Sequence, residues 1–246
     1  YGFRDYRGGG RSSARETIGR VAAGAIAEKF LKQLNISVTA YAKSIGPVEV
    51  SPERMDLAEI QNNRFCLPDA EAAKAAEDYL DQKIAECDSV GGVVECVISG
   101  LPVGLGEPVF EKLDANLAKA ILSIGAVKGF EIGDGFAATK ACGSENNDEF
   151  RMDGDKIVKE TNHAGGVLGG ISDGSDVVFR AAFKPTPSIA KSQETVTKDG
   201  ANIDLVIHGR HDPVVVPRAV VVVESMAAIT AMDMLLVSMT SRLDLI

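Results

Sequence analysis

No C-x-x-C pair occurs in this sequence, and its four cysteines, Cys66, Cys87, Cys96 and Cys142, are scattered. That spacing argues against a disulfide frame or a zinc site and predicts free thiols in a reducing, cytoplasmic setting. The three histidines, His163, His208 and His211, have no metal-ligand spacing with the cysteines. Positive charge is also in deficit. The formal net charge of −9 argues against a general nucleic-acid or anionic-membrane surface. There is no G-x-x-x-x-G-K-[ST] run, which excludes a Walker A site, and no nucleophile elbow. No signal peptide is expected ahead of the first motif. The chain opens on Tyr1 rather than Met and reads as a sequence whose beginning is missing.

Long apolar runs are scarce too. Ala219 to Met239 alone approaches the length of a membrane span, and Glu224 and Asp233 interrupt it. Each mid-helix carboxylate costs about 2.5–3.5 kcal/mol on insertion scales. With Pro217 near its start, the segment is expected to be a long, mostly buried helix, with no membrane span.

The remaining composition, 45% apolar and 25% charged over 246 residues, is that of a soluble globular protein with room for a substantial core. Apolar residues at Ile18, Val21, Ala22, Ala25, Ile26 and Phe30 predict an amphipathic helix reaching about Leu34. Alternation from Ile36 to Tyr41 predicts a half-buried strand. Arg54 to Leu67 reads as loop or short helix, and Asp69 as the cap of a helix with Ala73, Ala76, Leu80, Ile84 and Cys87 on its core face. A strand over Val93–Ile98, a helix opening at Pro108 with Phe110 on its inner face, and a strand over Val127–Ile132 follow. Gly133 to Ser175 reads as a long loop region, the kind that is functional or disordered inside a compact domain. A strand over Val177–Phe183, a hairpin over Glu194–Ile207 turning at Lys198-Asp199-Gly200, and the last helix complete the pattern. Helices and strands interleave without a linker-like break, so residues 1–246 are read as one α/β or α+β domain.

The chemistry concentrates in loops. Gly8-Gly9-Gly10-Arg11-Ser12-Ser13-Ala14-Arg15-Glu16 runs a flexible stretch into a helix start, with Ser13 and Glu16 spaced as a capping box. Unpaired N–H groups of a first helical turn, flanked by Arg11 and Arg15, form an anion site suited to phosphate. Leu122 to Val127 makes a tight helix–strand corner, and Gly165-Gly166-Val167-Leu168-Gly169-Gly170 is a paired-glycine loop. Lys184-Pro185-Thr186-Pro187-Ser188 is a rigid loop with one cation and two hydroxyls, and Gly209-Arg210-His211-Asp212-Pro213 sets three ionisable side chains in a row. Taken singly, each also fits an ordinary turn, a rigid loop or a salt bridge. Gly133-Asp134-Gly135-Phe136-Ala137-Ala138 matches G-x-G-x-x-A, but the polar stretch after it lacks the helix a dinucleotide fingerprint requires.

These segments, together with Gly104 to Phe110, Lys128 to Glu131, Gly143 to Phe150 and Asn162 to Gly166, follow one another as in chorismate synthases, and the chain closely resembles that family over essentially its whole length. The resemblance implies an α+β fold, a β-α-β sandwich with antiparallel sheets around helices, usually in a homotetramer. It implies a lyase that converts 5-enolpyruvylshikimate 3-phosphate to chorismate by 1,4-elimination of phosphate, in aromatic amino-acid biosynthesis. The change involves no net oxidation, yet family members require reduced FMN, and some also use NADPH. Matched position by position, Arg11, Ser12, Ser13, Gly125, Ala126, Gly169, Lys184, Pro185, Thr186, Pro187, Ser188 and Arg210 would contact the flavin. Arg15 would meet the anionic groups of the substrate. Asp212 matches the family's aspartate near flavin N5, which is implicated in proton relay. A carboxylate beside Arg210 is expected to stay ionised at neutral pH. Family members also carry a long segment before the signature loop, with two catalytic histidines and several substrate-binding arginines. Neither His163 nor His211 matches those positions, so no histidine is placed among the catalytic residues. A rival reading is a catalytically incomplete piece that binds flavin or only assembles.

Overall fold

Helices and strands alternate along the chain in the computed structural model, which describes residues 2–3, 7, 9–209 and 211–241. In chain order the elements are α1 (Thr17–Gln33), β1 (Ser37–Ile45), β2 (Val48–Glu49), α2 (Ala70–Ala85), β3 (Gly92–Ser99), α3 (Leu113–Leu122) and β4 (Val127–Ile132). They continue with α4 (Gly143–Asn146), β5 (Phe150–Asp153), β6 (Lys156–Lys159), β7 (Val167–Leu168), β8 (Ile171–Ser172), β9 (Val177–Phe183), β10 (Gln193–Val196), β11 (Asn202–Leu205) and α5 (Val216–Ser238). The main sheet has five strands in the order β2-β1-β3-β9-β4, and three hairpins form two-stranded sheets of their own. The chain forms two compact units, one of residues 1–40, 95–181 and 221–246, the other of 41–94 and 182–220.

In the first unit the core gathers Leu31, Leu113, Leu117, Ile121, Val177, Phe179, Val223 and Ala227. Phe130 stacks on Phe179 with ring centroids 5.3 Å apart. The buried side of α1 is not the predicted apolar stripe: Gly24, Ala27 and Leu31 face inward, while Ile18 (79% exposed) and Phe30 (52%) face outward. Gly24 explains the rotation. A Cβ there would lie 2.3 Å from Ser225 Cβ, so the small-residue side is what lets α1 approach α5. Hydrophobic periodicity scores bulk, and here close packing chose the smaller face.

In the second unit Asp69 caps α2 as expected, accepting from Glu71 N and Ala72 N, each at 3.0 Å. It also takes Ser51 N (3.1 Å) and Arg54 Nη2 (3.0 Å). Burial alone would raise its carboxyl, but Arg54 and the backbone donors outweigh burial and hold it below its usual value. Ala73, Ala76 and Leu80 are buried as predicted, whereas Ile84 and Cys87 lie outside the packed face.

Three further expectations change. The helix predicted to open at Pro108 begins at Leu113, leaving Phe110 88% exposed. Residues 133–175 are not one loop but carry a short 3-10 stretch, α4 and two antiparallel hairpins, β5–β6 and β7–β8. Their two-residue turns are too short to register in the polar, glycine-rich composition. The signature loop forms two 3-10 turns, Gly10–Ser12 and Ala14–Glu16, and α1 starts at Thr17 rather than near Ala14. The last helix, α5, is long and apolar enough to cross a membrane by length and composition, with 50% of its most apolar window buried. Glu224 near its middle accepts Ala40 N of β1 at 2.8 Å.

Candidate functional site

The first unit holds the signature loop, the α3–β4 corner and the glycine hairpin. The expected open helix N-terminus is absent from the signature loop. Its two 3-10 turns use the N–H groups of Ser12 (to Gly9 O, 3.0 Å), Ser13 (to Gly10 O, 3.2 Å) and Glu16 (to Ser13 O, 3.1 Å). The capping box does not close, because Glu16 is drawn to Arg20 one turn on (3.0 Å). Ser12 Oγ donates to Gly9 O at 2.6 Å, and Ser13 Oγ accepts Arg15 N at 3.4 Å. What this loop offers a ligand is therefore its exposed guanidiniums, Arg11 and Arg15.

Arg20 joins this loop to the corner. Besides Glu16 it donates to Ser123 Oγ (2.6 Å) and Ser123 O (3.2 Å), the residue that follows α3. Three residues on, Ala126 has φ 73, a left-handed conformation that disfavours any side chain by about 1–2 kcal/mol. Such strain concentrates where backbone is presented to a ligand. Arg20 carries no family role in the sequence reading, although its i,i+4 spacing from Glu16 was a signal for it.

Gly169 and Gly170 form the two-residue turn between β7 and β8, with Leu168 opposite Ile171. Both have positive φ, 61 and 88, as a type I′ turn requires. Gly170 is packed: a Cβ there would lie 2.3 Å from Lys112 Cγ. Gly169 instead faces open space.

Beneath that hairpin lies a charge hub that no sequence spacing announced. Lys159, its side chain 3% exposed, donates to Asp173 (2.7 Å), Asp148 (3.1 Å) and Asn162 Oδ1 (3.2 Å). Asp148 further accepts His163 N (2.7 Å), Thr161 Oγ1 (2.8 Å) and Ala164 N (3.0 Å). Burial opposes its ionisation, yet these donors together hold its carboxyl far below the usual range. His163, bonded through Nδ1 to Asp134 (2.7 Å), is part of the same loop.

The second unit holds the other two loops. Lys184, Pro185 and Pro187 are exposed, and Thr186 and Ser188 are half-buried. Thr186 O accepts Ser89 Oγ at 2.6 Å, but Thr186 Oγ1 is buried with no hydrogen-bond partner among the described residues. Ser188 Oγ meets His211 Nδ1 at 3.1 Å, bringing the Lys184–Ser188 loop against the segment that ends at Pro213. Asp212 pairs with Arg218 of α5 at 2.5 Å. Arg210 itself lies outside the described residues. Asp212 and His211 also line a cavity of about 200 Å³ with Ile84, Cys87, Ile189 and Pro213.

A buried hydroxyl with no partner costs about 1–3 kcal/mol and is rare in native structures. The other such hydroxyl among the described residues, Ser225 Oγ, is walled in where α1 meets α5 at Gly24. Thr186 sits instead on a loop among exposed residues, which fits a polar group of a bound cofactor. No group of three or more metal-ligating side chains occurs among the described residues.

The chorismate synthase family model matches residues 1–236. The chorismate synthase of Lachnoclostridium phytofermentans is 63% identical over 245 residues, covering 99% of this chain and 67% of that protein. That of Agathobacter rectalis is 64% identical over 244 residues, covering 99% and 66%. A crystal structure of a chorismate synthase aligns with a TM-score of 0.78 at 32% identity, over 93% of this chain and 66% of that one. The chain thus spans about two thirds of the length of the relatives it matches. The fold is α+β, with the antiparallel hairpins and interleaved helices already described. On these grounds the chain belongs to the chorismate synthase family.

Proposed function

We propose that this chain carries the binding surfaces and proton-relay carboxylate of a chorismate synthase acting on 5-enolpyruvylshikimate 3-phosphate with reduced FMN. The observation that carries the reading is the family match over residues 1–236. Within the structure the unpartnered Thr186 hydroxyl agrees with it. Bound reduced flavin would supply electron density to the allylic centre as phosphate departs.

The chain's own residues account for the rest. The exposed guanidiniums of Arg11 and Arg15 would supply positive charge for phosphate and carboxylate groups. Open space around the backbone of Gly125 and Gly169, beside the left-handed Ala126, would permit close approach of a flat ring. Lys184 through Ser188 would wrap the cofactor, with Arg210 as a further cation. The elimination breaks the C–O bond to phosphate and releases one proton. The Asp212 carboxylate, which pairs with Arg218, would relay that proton. Homotetramer assembly and a cytoplasmic setting belong to the same reading. A second reading is flavin binding without turnover, which the unpartnered Thr186 hydroxyl fits equally well.

A flavin-fluorescence titration with FMN, with and without 5-enolpyruvylshikimate 3-phosphate, followed by a chorismate assay, separates these readings. FMN binding that tightens with substrate, together with chorismate release, supports the first. FMN binding without chorismate supports the second. Absence of FMN binding overturns both. Within an active protein, Asp212→Asn should lower turnover by about 100-fold or more and leave FMN affinity within about twofold. Unchanged turnover would remove Asp212 from the relay.

A further inference from the structure

Ser188 and His211 form a relay whose polarity can be read from its chemistry. His211 Nε2 lies 3.0 Å from Ile207 O. A carbonyl oxygen only accepts, so whenever the ring is neutral its one proton sits on Nε2. Nδ1 is then a bare lone pair, and Ser188 Oγ, 3.1 Å away, must be its donor. The single hydroxyl proton of Ser188 is thereby committed inward. Toward a ligand the Ser188 oxygen has only lone pairs to offer.

We infer that His211 is a positioning residue that turns Ser188 into a hydrogen-bond acceptor toward the bound flavin, so that Ser188 reads an N–H or O–H of the ring or its side chain and not the phosphate. The inference rests on the functional reading above and deepens it. A phosphate presents acceptors at neutral pH and needs donors. Within the same segment that need is met by Lys184, and an acceptor at Ser188 would repel a phosphate oxygen. The loop therefore divides its work between a cation for the anionic end and a fixed acceptor for a neutral donor. His211 does this without touching the flavin itself.

The test separates the two bonds of the imidazole. His211→Asn places an amide oxygen near the position of Nδ1 and preserves the acceptor for Ser188. His211→Gln places an amide N–H near the position of Nε2, preserving the bond to Ile207 O and losing the acceptor. Dissociation constants for FMN and for riboflavin, which lacks the phosphate, are measured by fluorescence for each variant and for Ser188→Ala. The expected result is near-unchanged binding in His211→Asn and a loss of about 5–10-fold in His211→Gln, equal for FMN and riboflavin. Ser188→Ala should show the same loss, with no further loss in the double variant. A loss confined to FMN would overturn the inference by assigning Ser188 to the phosphate. Equal losses in the Asn and Gln variants would overturn it by reducing His211 to a packing role. Long-range ¹H–¹⁵N NMR spectra of His211 in the unaltered chain give a readout that needs no flavin. A neutral ring protonated at Nε2 supports the relay, and protonation at Nδ1 overturns it. If the unaltered chain bound neither flavin, the functional reading would fall while the spectra still decided the relay.

Discussion

The hairpin loop from Asn162 to Gly170, in the first unit, and the loop from Lys184 to Ser188, in the second, each carry a residue matched to a flavin contact of the family, and they are built on opposite plans. The first stands on Lys159, Asp148 and Asp173, buried charges whose donors and acceptors are paired with one another and with the loop backbone. Asn162 extends the hub, accepting Gly166 N at 2.8 Å and donating to Asp176 O at 2.8 Å. The second is stiffened by two prolines, and it keeps a buried hydroxyl without a partner. One loop is complete without a ligand, and the other holds hydrogen-bonding capacity in reserve. Protein stability should therefore depend on the first loop, and ligand affinity on the second.

The strongest way to break that contrast is Lys159→Met. Removing one partner from a buried ion pair leaves the others uncompensated and costs about 3–5 kcal/mol. Urea unfolding should show that loss. A change of less than about 1 kcal/mol would mean the hub is as solvated as a surface pair.

Acid unfolding sharpens the contrast by a smaller amount. The carboxyls of Asp148 and Asp173 are both held below the ordinary aspartate value of 3.8, burial opposing and the bonds from Lys159 and the loop prevailing. A group depressed in the folded state contributes stability that is present above its unfolded value and lost as pH falls through its folded one. Stability should accordingly fall as pH drops below about 3.8. Glu224 has the opposite sign. Burial raises its carboxyl above 4.5, so it adds stability as pH falls through its raised range toward that value. In Asp148→Asn the protein should be less stable at pH 7, and the loss below about pH 3.8 should be shallower. An unchanged acid limb would place the responsible carboxylates elsewhere.

The same contrast explains what could be read without coordinates. Motifs whose chemistry lies in the residue types themselves were legible: Asp69 as a helix cap, Val177–Phe183 as a strand, the turn at Lys198-Asp199-Gly200. So was the family, because long ordered motifs survive in one dimension. The hub was not legible, since Asp148, Lys159 and Asp173 lie 11 to 14 residues apart at neighbouring steps and meet only through the folding of two hairpins. The inward face of α1 was misread because Gly24 and Ala27 carry little hydrophobic weight, though they permit the closest approach. The signature loop was misread because Glu16 had two competing uses, a cap and an ion pair, and Arg20 decided between them. The pairing of Asp212 with Arg218 was not legible either, since a helical residue six positions on reaches it. Side-chain competition of this kind has no periodicity to detect.

The smallest expected effect is the most discriminating, because it changes sign between the two states. Thr186→Val keeps the shape of the side chain and removes the hydroxyl that finds no partner in the free chain. If that hydroxyl waits for a ligand, its removal relieves an unmet polar group, and the free protein should gain about 1 kcal/mol of stability. FMN binding should weaken by about 5–10-fold in the same variant, since the bond that would satisfy the hydroxyl can no longer form. Thermal unfolding with and without FMN measures both quantities on one sample, because ligand binding raises the apparent stability through the dissociation constant. A loss of stability in the free chain would mean that a solvent molecule already satisfies Thr186. A gain without any change in FMN affinity would leave the rigid loop complete in itself, like the glycine hairpin, and would erase the difference between the two.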